Sequence, residues 1–251
     1  MIKLVGVEKT LGGQRVLQGV DFTIPTGKLT TVIGKSGEGK SVLLKHIIGL
    51  MQPDRGEVWV DDMEISRLRG KALNDVRKRF AMLFQGAALF DSLSVFENVA
   101  FPLREKLRMK GPEVTRRVEE KLDQVGLEGM GHKFPAELSG GMKKRAGLAR
   151  ALVMEPEIML FDEPTTGLDP LMAKSIHELI VGMQQRFKFT AVMVSHEILE
   201  IFGISDWVAM LLKGKIALMA PAAEFVKTTD PEIHEFISVS GPVTLSRATA
   251  G

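Results

Sequence analysis

Cysteine is absent from the 251 residues. Neither a disulfide nor a thiolate metal site is available, and the absence suits a reducing compartment. Tyrosine is absent too, so no catalytic scheme can use a phenol. No apolar run reaches the roughly 18 residues of a membrane-spanning helix. The longest candidate, 207–220, is interrupted by Lys213, Gly214 and Lys215. A membrane role is therefore expected to come through a partner. Met1-Ile2-Lys3-Leu4 opens no apolar stretch of the kind that marks a secretory signal. A charge surplus is missing as well: 33 Lys+Arg against 31 Asp+Glu leave +2, so nucleic acid is not an expected partner. What is present is an ordinary globular balance, 45% hydrophobic and 25% charged, ample for a core.

Apolar alternation at Ile2, Leu4, Val20, Phe22 and Ile24 predicts antiparallel strands, with Gly12-Gly13 as the hairpin turn. Leu29-Thr30-Thr31-Val32-Ile33 reads as a short buried strand that enters a Gly-rich loop and then a helix over 40–50. Further strands are expected at 57–60, 81–84, 158–161 and 191–194, with helices over 66–80 and 171–187. Residues 90–150 change to helical character, as an insertion between sheet segments. Two strands around Lys213-Gly214 and a short helix over 231–237 follow. The tail, 241–251, is rich in Gly, Ser, Thr and Ala and is expected to be mobile.

Gly34-Lys35-Ser36-Gly37-Glu38-Gly39-Lys40-Ser41 fits G-x-x-x-x-G-K-[ST], the P-loop. The glycines let successive N–H groups turn inward at phosphate oxygens, and the next helix adds its N-terminal partial charge. Lys40 supplies a full positive charge for the β- and γ-phosphates. The Ser41 hydroxyl is a hard oxygen ligand for Mg²⁺. Ile158-Met159-Leu160-Phe161-Asp162-Glu163 sets two carboxylates at the end of a buried strand, where open α/β sheets bind ligands. Asp162 is the candidate Mg²⁺ holder and Glu163 the candidate general base for an attacking water. Alone, such a pair can equally cap the turn before Pro164; the preceding P-loop gives it weight.

Leu138-Ser139-Gly140-Gly141-Met142 resembles the LSGGQ signature of ATP-binding-cassette (ABC) ATPases, and it opens a helix whose first N–H groups are free for an anion. Gln85 is similar to the family's Q-loop glutamine, Thr166-Gly167-Leu168-Asp169 to its D-loop, and His196 to its switch histidine. The order of motifs over 1–240 is that of the family. The resemblance implies an α/β fold: a P-loop NTPase core, about 1–86 and 155–240, with an N-terminal antiparallel β subdomain and an inserted helical subdomain over about 87–154. It implies ATP and Mg²⁺ as ligands. Gly34, Lys35, Ser36, Gly37, Glu38, Gly39, Lys40 and Ser41 would bind the nucleotide of one copy. Ser139, Gly140, Gly141 and Asp169 would act on that of a second copy, head to tail. Glu163, His196, Gln85 and Lys40 are the implied catalytic set, and Ser41, Gln85 and Asp162 the implied metal set. Two departures stand out. Leu11 occupies the place of the usual adenine-stacking aromatic, so weaker base discrimination is expected. Met142 replaces the signature glutamine, and function is expected to survive because the loop acts through backbone N–H groups and Ser139. His46, His132, His177 and His234 show no ligand spacing and read as structural or surface.

The run 84–103, the signature segment 138–145, Asp230-Pro231 and Phe236 look like those of Mla-type lipid transporters, the group linked to MCE proteins. That resemblance implies a motor for phospholipid or another hydrophobic lipid, peripheral on the cytoplasmic face of the inner membrane. The implied partners are an integral-membrane permease, an MCE-domain lipid-binding protein and a small soluble regulator. The ATPase of a small-solute importer, such as one for amino acids, shares every core motif. A soluble, non-transport cassette is a further alternative, though the single P-loop and the absence of a coiled-coil insertion speak against it.

Overall fold

The computed structural model describes residues 1–238. The tail over 241–251 lies outside the described residues. In chain order the first elements are β1 (Ile2–Leu11), β2 (Gln14–Ile24), β3 (Leu29–Ile33), α1 (Lys40–Ile47), β4 (Arg55–Val60), β5 (Met63–Glu64), α2 (Gly70–Arg77) and β6 (Phe80–Leu83). A helical stretch follows, with α3 (Val95–Leu107), α4 (Pro112–Gln124) and α5 (Gly140–Leu152). The chain then returns to the sheet through β7 (Ile158–Asp162), α6 (Pro170–Phe187) and β8 (Thr190–Val194). It ends in α7 (Ile198–Ile204), β9 (Trp207–Leu212), β10 (Lys215–Pro221), α8 (Ala222–Phe225) and α9 (Pro231–Ser238).

Two sheets form. The first is antiparallel, ordered β2-β1-β4-β5. Its hairpin turns at Gly12 and Gly13, with φ +57° and +82°, the doubly left-handed geometry of a two-residue β-turn. Ile2, Leu4, Leu17, Val20, Phe22 and Ile24 bury one face of it against α1 and the second sheet.

The second sheet is ordered β10-β9-β3-β8-β7-β6, parallel throughout except for β10. All five residues of β3 and of β8 are buried, the continuous run expected of strands covered on both faces. The order has a direct consequence. The loops after β3, β8, β7 and β6, four adjacent strands, leave from one edge of the sheet, and they carry the P-loop, His196, Asp162-Glu163 and Gln85 in that order.

The helical stretch packs Val95, Val99 and Leu103 of α3 with Val118 and Leu122 of α4 and Ala146 and Ala149 of α5. A capping box starts α3: Ser94 accepts from the Glu97 N–H while Glu97 accepts from the Ser94 N–H. Asn98 is fully buried. Its amide bonds both main-chain groups of Phe90 and accepting carbonyls at Leu93 and Ser94, fixing the approach to α3.

Two helices are shorter than the sequence predicts. The helix after the P-loop ends at Ile47, because Gly49 turns left-handed at φ +70°. The charged stretch before β6 is helical only over Gly70–Arg77; ahead of it, Arg69 caps the carbonyls of Ser66 and Leu68 in a turn. The short α7 and α8 have no periodicity long enough to reveal them.

Candidate active site

The P-loop begins where β3 ends, pinned from two sides. A Cβ at Gly34 would stand 2.4 Å from the Leu211 carbonyl oxygen of β9, and one at Gly39 2.7 Å from Val16 Cγ1. Only glycine fits either place without displacing a neighbour. Lys40 is nearly buried, and its ammonium donates to the carbonyls of Gly34 at 2.8 Å and Lys35 at 3.0 Å. Burial pushes Lys40 below the usual lysine range, against the opposing pull of Glu163, Glu38 and Asp162. Glu38 turns its carboxylate away along the loop, accepting at 2.7 Å from the Lys213 N–H in the turn between β9 and β10.

The Ser41 hydroxyl donates to Asp162 Oδ1 at 2.9 Å. Two oxygens at adjacent octahedral positions about 2.05 Å from Mg²⁺ are separated by about 2.9 Å, so these hard donors fit a shared Mg²⁺ ion. Gln85 lies exposed two residues beyond β6; no hydrogen bond joins its side chain to Ser41 or Asp162 among the described residues.

Glu163 follows at φ +48°, a left-handed conformation that a residue with a Cβ adopts only under constraint. The constraint is visible. Its N–H donates to the Val194 carbonyl at 3.0 Å, and Thr166 Oγ1 donates to its Oε2 at 3.1 Å. The other oxygen lies 3.2 Å from His196 Nδ1. The loop bearing His196 is tied down next door: Thr165 Oγ1 donates to Glu197 Oε2 at 2.7 Å, and the Glu197 N–H to Ser195 Oγ at 3.0 Å. A half-exposed imidazole and a carboxylate thus meet in direct contact, with the carboxylate within electrostatic reach of Lys40.

Ser139, Gly140 and Gly141 occupy a different place. Ser139 is the N-cap of α5, its Oγ accepting from the Met142 N–H at 3.3 Å. The two glycines rest on the loop before α6 and on its first turn: a Cβ at Gly140 would lie 3.2 Å from Leu168 Cδ2, and one at Gly141 3.5 Å from Met172 Sδ. Asp169 caps α6 by accepting from the Met172 N–H at 2.9 Å. No hydrogen bond joins these four residues to the P-loop among the described residues. Leu11 ends β1, exposed.

Nothing in the sequence marks Val16, which the structure sets against Gly39, or Lys144, which donates to the Gln85 carbonyl. The spacing of the remaining histidines also hides one grouping. His177 Nδ1 lies 2.8 Å from Glu200 Oε2, and the ligand atoms of His177, Glu197 and Glu200 fall within 4.8 Å of one another. No helix among the described residues is long and apolar enough to cross a membrane.

The model of the family described as ABC transporter matches residues 17–166. The chain is 40% identical over 98% of its length, and 69% of the other's, to the probable ribonucleotide transport ATP-binding protein mkl of Mycobacterium tuberculosis strain H37Rv. It is 38% identical over 97% of its length, and 91% of the other's, to MlaF of Escherichia coli K12, the ATP-binding protein of the intermembrane phospholipid transport system. Among solved structures, the dimeric post-hydrolysis state of the ATP-binding cassette MJ0796 bound to ADP and Pi aligns with a TM-score of 0.80 at 32% identity, covering 88% of this chain and 99% of that one. The chain belongs to the ABC transporter family. It is an ATP-hydrolysing cassette, and within the family it is similar to MlaF and mkl.

Proposed function

We propose that this chain is the motor of a transporter for phospholipid or another hydrophobic lipid, acting as two copies beneath an integral-membrane permease. One observation carries the two-copy part. A complete phosphate cradle stands at the sheet edge, and a second anion-binding helix start, at Ser139, has no bond to it. The dimeric state of MJ0796 supports the same reading.

In the proposed cycle the 34–41 backbone and Lys40 hold the phosphates of ATP. Mg²⁺ held at Ser41 and Asp162, when bound, neutralises phosphate charge. Ser139, Gly140 and Gly141 of the second copy offer N–H groups to the γ-phosphate from the other side. Glu163 takes the proton of the attacking water, and His196, 3.2 Å from its carboxylate, holds the water and that carboxylate in line. The protein contributes mostly position and charge. Gln85 has no bonded partner on its side chain among the described residues, so it is free to complete the metal site from β6. Leu11 offers adenine only an apolar contact, and Asp169 reaches toward the second copy.

The lipid assignment rests on similarity to MlaF over nearly the whole chain, and the permease on the surface beside the Q-loop. There Phe84, Phe90 and Phe101 are exposed, with the last two rings 4.9 Å apart. Exposed aromatics so grouped suit an apolar protein partner. An MCE-domain protein, a small soluble regulator and a peripheral place on the cytoplasmic face of the inner membrane follow from the same reading. The similarity to mkl favours a second one, a soluble nucleotide cargo. Purification with the membrane subunit, followed by mass spectrometry of bound small molecules and assay of lipid-stimulated hydrolysis, separates them. Bound phospholipid and stimulation are expected; a bound ribonucleotide with no lipid effect sinks the lipid assignment.

A further inference from the structure

The segment leaving β6 holds two successive alanines in the left-handed region, Ala87 at φ +58° and Ala88 at φ +49°. A Cβ disfavours that region, and glycine is its usual occupant. One face of α5 holds the turn in place. Lys144, Gly147 and Arg150 follow at three-residue spacing, which puts them on one side of a helix. The Lys144 ammonium donates to the Gln85 carbonyl. Arg150 donates to the carbonyls of Ala87 and Ala88, both at 2.7 Å. Gly147 lets the two segments close: a Cβ there would meet Leu83 Cδ1 at 2.9 Å and Ala87 Cβ at 3.1 Å.

Lys144 is 5% exposed. Its hydrogen bond goes to a main-chain carbonyl, as do both of Arg150's, and neither residue forms an ion pair among the described residues. A buried cation without a carboxylate partner is unfavourable unless its hydrogen bonds are kept. Burial lowers the Lys144 pKa, and Glu163 and Glu197 pull it back up, so the ammonium lies within electrostatic reach of the reacting carboxylate. The first residue of this same helix is capped by Ser139. One rigid element therefore grips the Q-loop turn along its side and presents the signature at its end.

We propose that Lys144 is a positioning residue of the ATPase: with Arg150 it clamps the 85–88 turn to α5, so that Gln85, at the chain's own nucleotide, and Ser139, at the nucleotide of the second copy, move together. The inference rests on the two-copy reading above and deepens it.

Two substitutions in the 251-residue chain test it. Lys144→Met keeps the stem and removes the ammonium; Lys144→Gln keeps a donor for the Gln85 carbonyl without charge. Turnover, KM, the Hill coefficient for ATP, MgATP affinity of a single copy at high dilution and melting temperature are measured. In Lys144→Met, kcat is expected to fall roughly 10- to 100-fold, the cost of misplacing an aligned group. MgATP affinity is expected to stay within about 2-fold, since no P-loop contact is altered. The Hill coefficient is expected to drop from about 2 to about 1. Lys144→Gln is expected to recover most of the turnover and the cooperativity. Parental turnover and cooperativity in Lys144→Met overturn the proposal. So does a loss that follows falling melting temperature and MgATP affinity and that Lys144→Gln does not repair.

Hydrogen exchange tests the same coupling with Lys144 intact, should the Met variant not fold. In Ser139→Glu, ATP is expected to protect 34–41 while leaving 85–88 unchanged. Protection of 85–88 equal to the parent's removes the clamp from the mechanism. A parent that hydrolyses ATP with a Hill coefficient of about 1, and whose Glu163→Gln variant forms no ATP-dependent dimer, removes the two-copy reading and this inference with it.

Discussion

Two loops in this chain are built to face an anion, and they are built differently. The P-loop stands at the end of a strand buried on both faces, backed by Lys40 and by a hydroxyl–carboxylate pair 2.9 Å apart. The signature loop is the bare start of α5, with one serine, two glycines and no cation in its first turn before Lys143. On the proposed reading the first, with its charge, hydroxyl–carboxylate pair and buried support, holds the nucleotide of its own copy. The second offers only oriented N–H groups, which on the same reading add to a nucleotide held by the other copy. The proposed cycle thus gives reaction and closure to separate parts of one molecule.

That contrast can be broken in order of effect. Glu163→Gln keeps the size of the side chain and removes its basicity. Turnover is expected to fall about 10²- to 10⁴-fold, the worth of a positioned general base, with MgATP binding retained and an ATP-bound dimer accumulating in size-exclusion chromatography. Unchanged hydrolysis removes Glu163 from the role. Ser139→Glu places a carboxylate at the second anion site. Turnover is expected to fall roughly 10²-fold while MgATP affinity for a single copy stays within about 2-fold, because the loss is confined to charge stabilisation from across the interface. An equal loss of affinity shows that the signature loop helps hold the chain's own nucleotide.

Leu11→Tyr refines the comparison on the P-loop side. A stacked ring is expected to tighten ATP binding by roughly 2- to 12-fold in calorimetry, the worth of one aromatic pair. No change means adenine does not reach the end of β1. The smallest effect belongs to the helical region. Arg116 and Arg117 hold the Glu113 carboxyl down to about 2 from the usual 4.5. Because the folded value is depressed, this contribution is present above pH 4.5 and is lost as pH falls toward 2. The difference in melting temperature between the parent and Glu113→Gln is expected to be small at neutral pH and to vanish across that window. A difference that persists at pH 2 refutes the assignment.

The parts of the site that are contiguous along the chain are legible from the residues alone. Residues 29–41 and 158–163 each combine a buried strand with a chemical motif, and in each case both signals lie within about a dozen residues, a span that local pattern reading covers. The two sheets are legible for the same local reason, through alternation in one and unbroken apolar runs in the other. What stays hidden depends on partners far along the chain. Gly34 meets Leu211, Gly39 meets Val16, and Lys144 meets Gln85, and no local pattern records those pairs. The left-handed alanines are invisible for a further reason: alanine carries no turn signal, so only the packing of α5 explains them. α1 ends early because Gly49 is left-handed, and α2 starts late because Gly70 is, where side-chain periodicity alone would extend both helices.

Asn98 has one more implication. By stitching Phe90, Leu93 and Ser94 to the start of α3 with a single buried amide, it gives the aromatic relief beside the Q-loop its final contour before anything touches it. A protein that seats there meets a finished mould and has little loop entropy to quench, so more of the contact energy is left for transmitting force between the two.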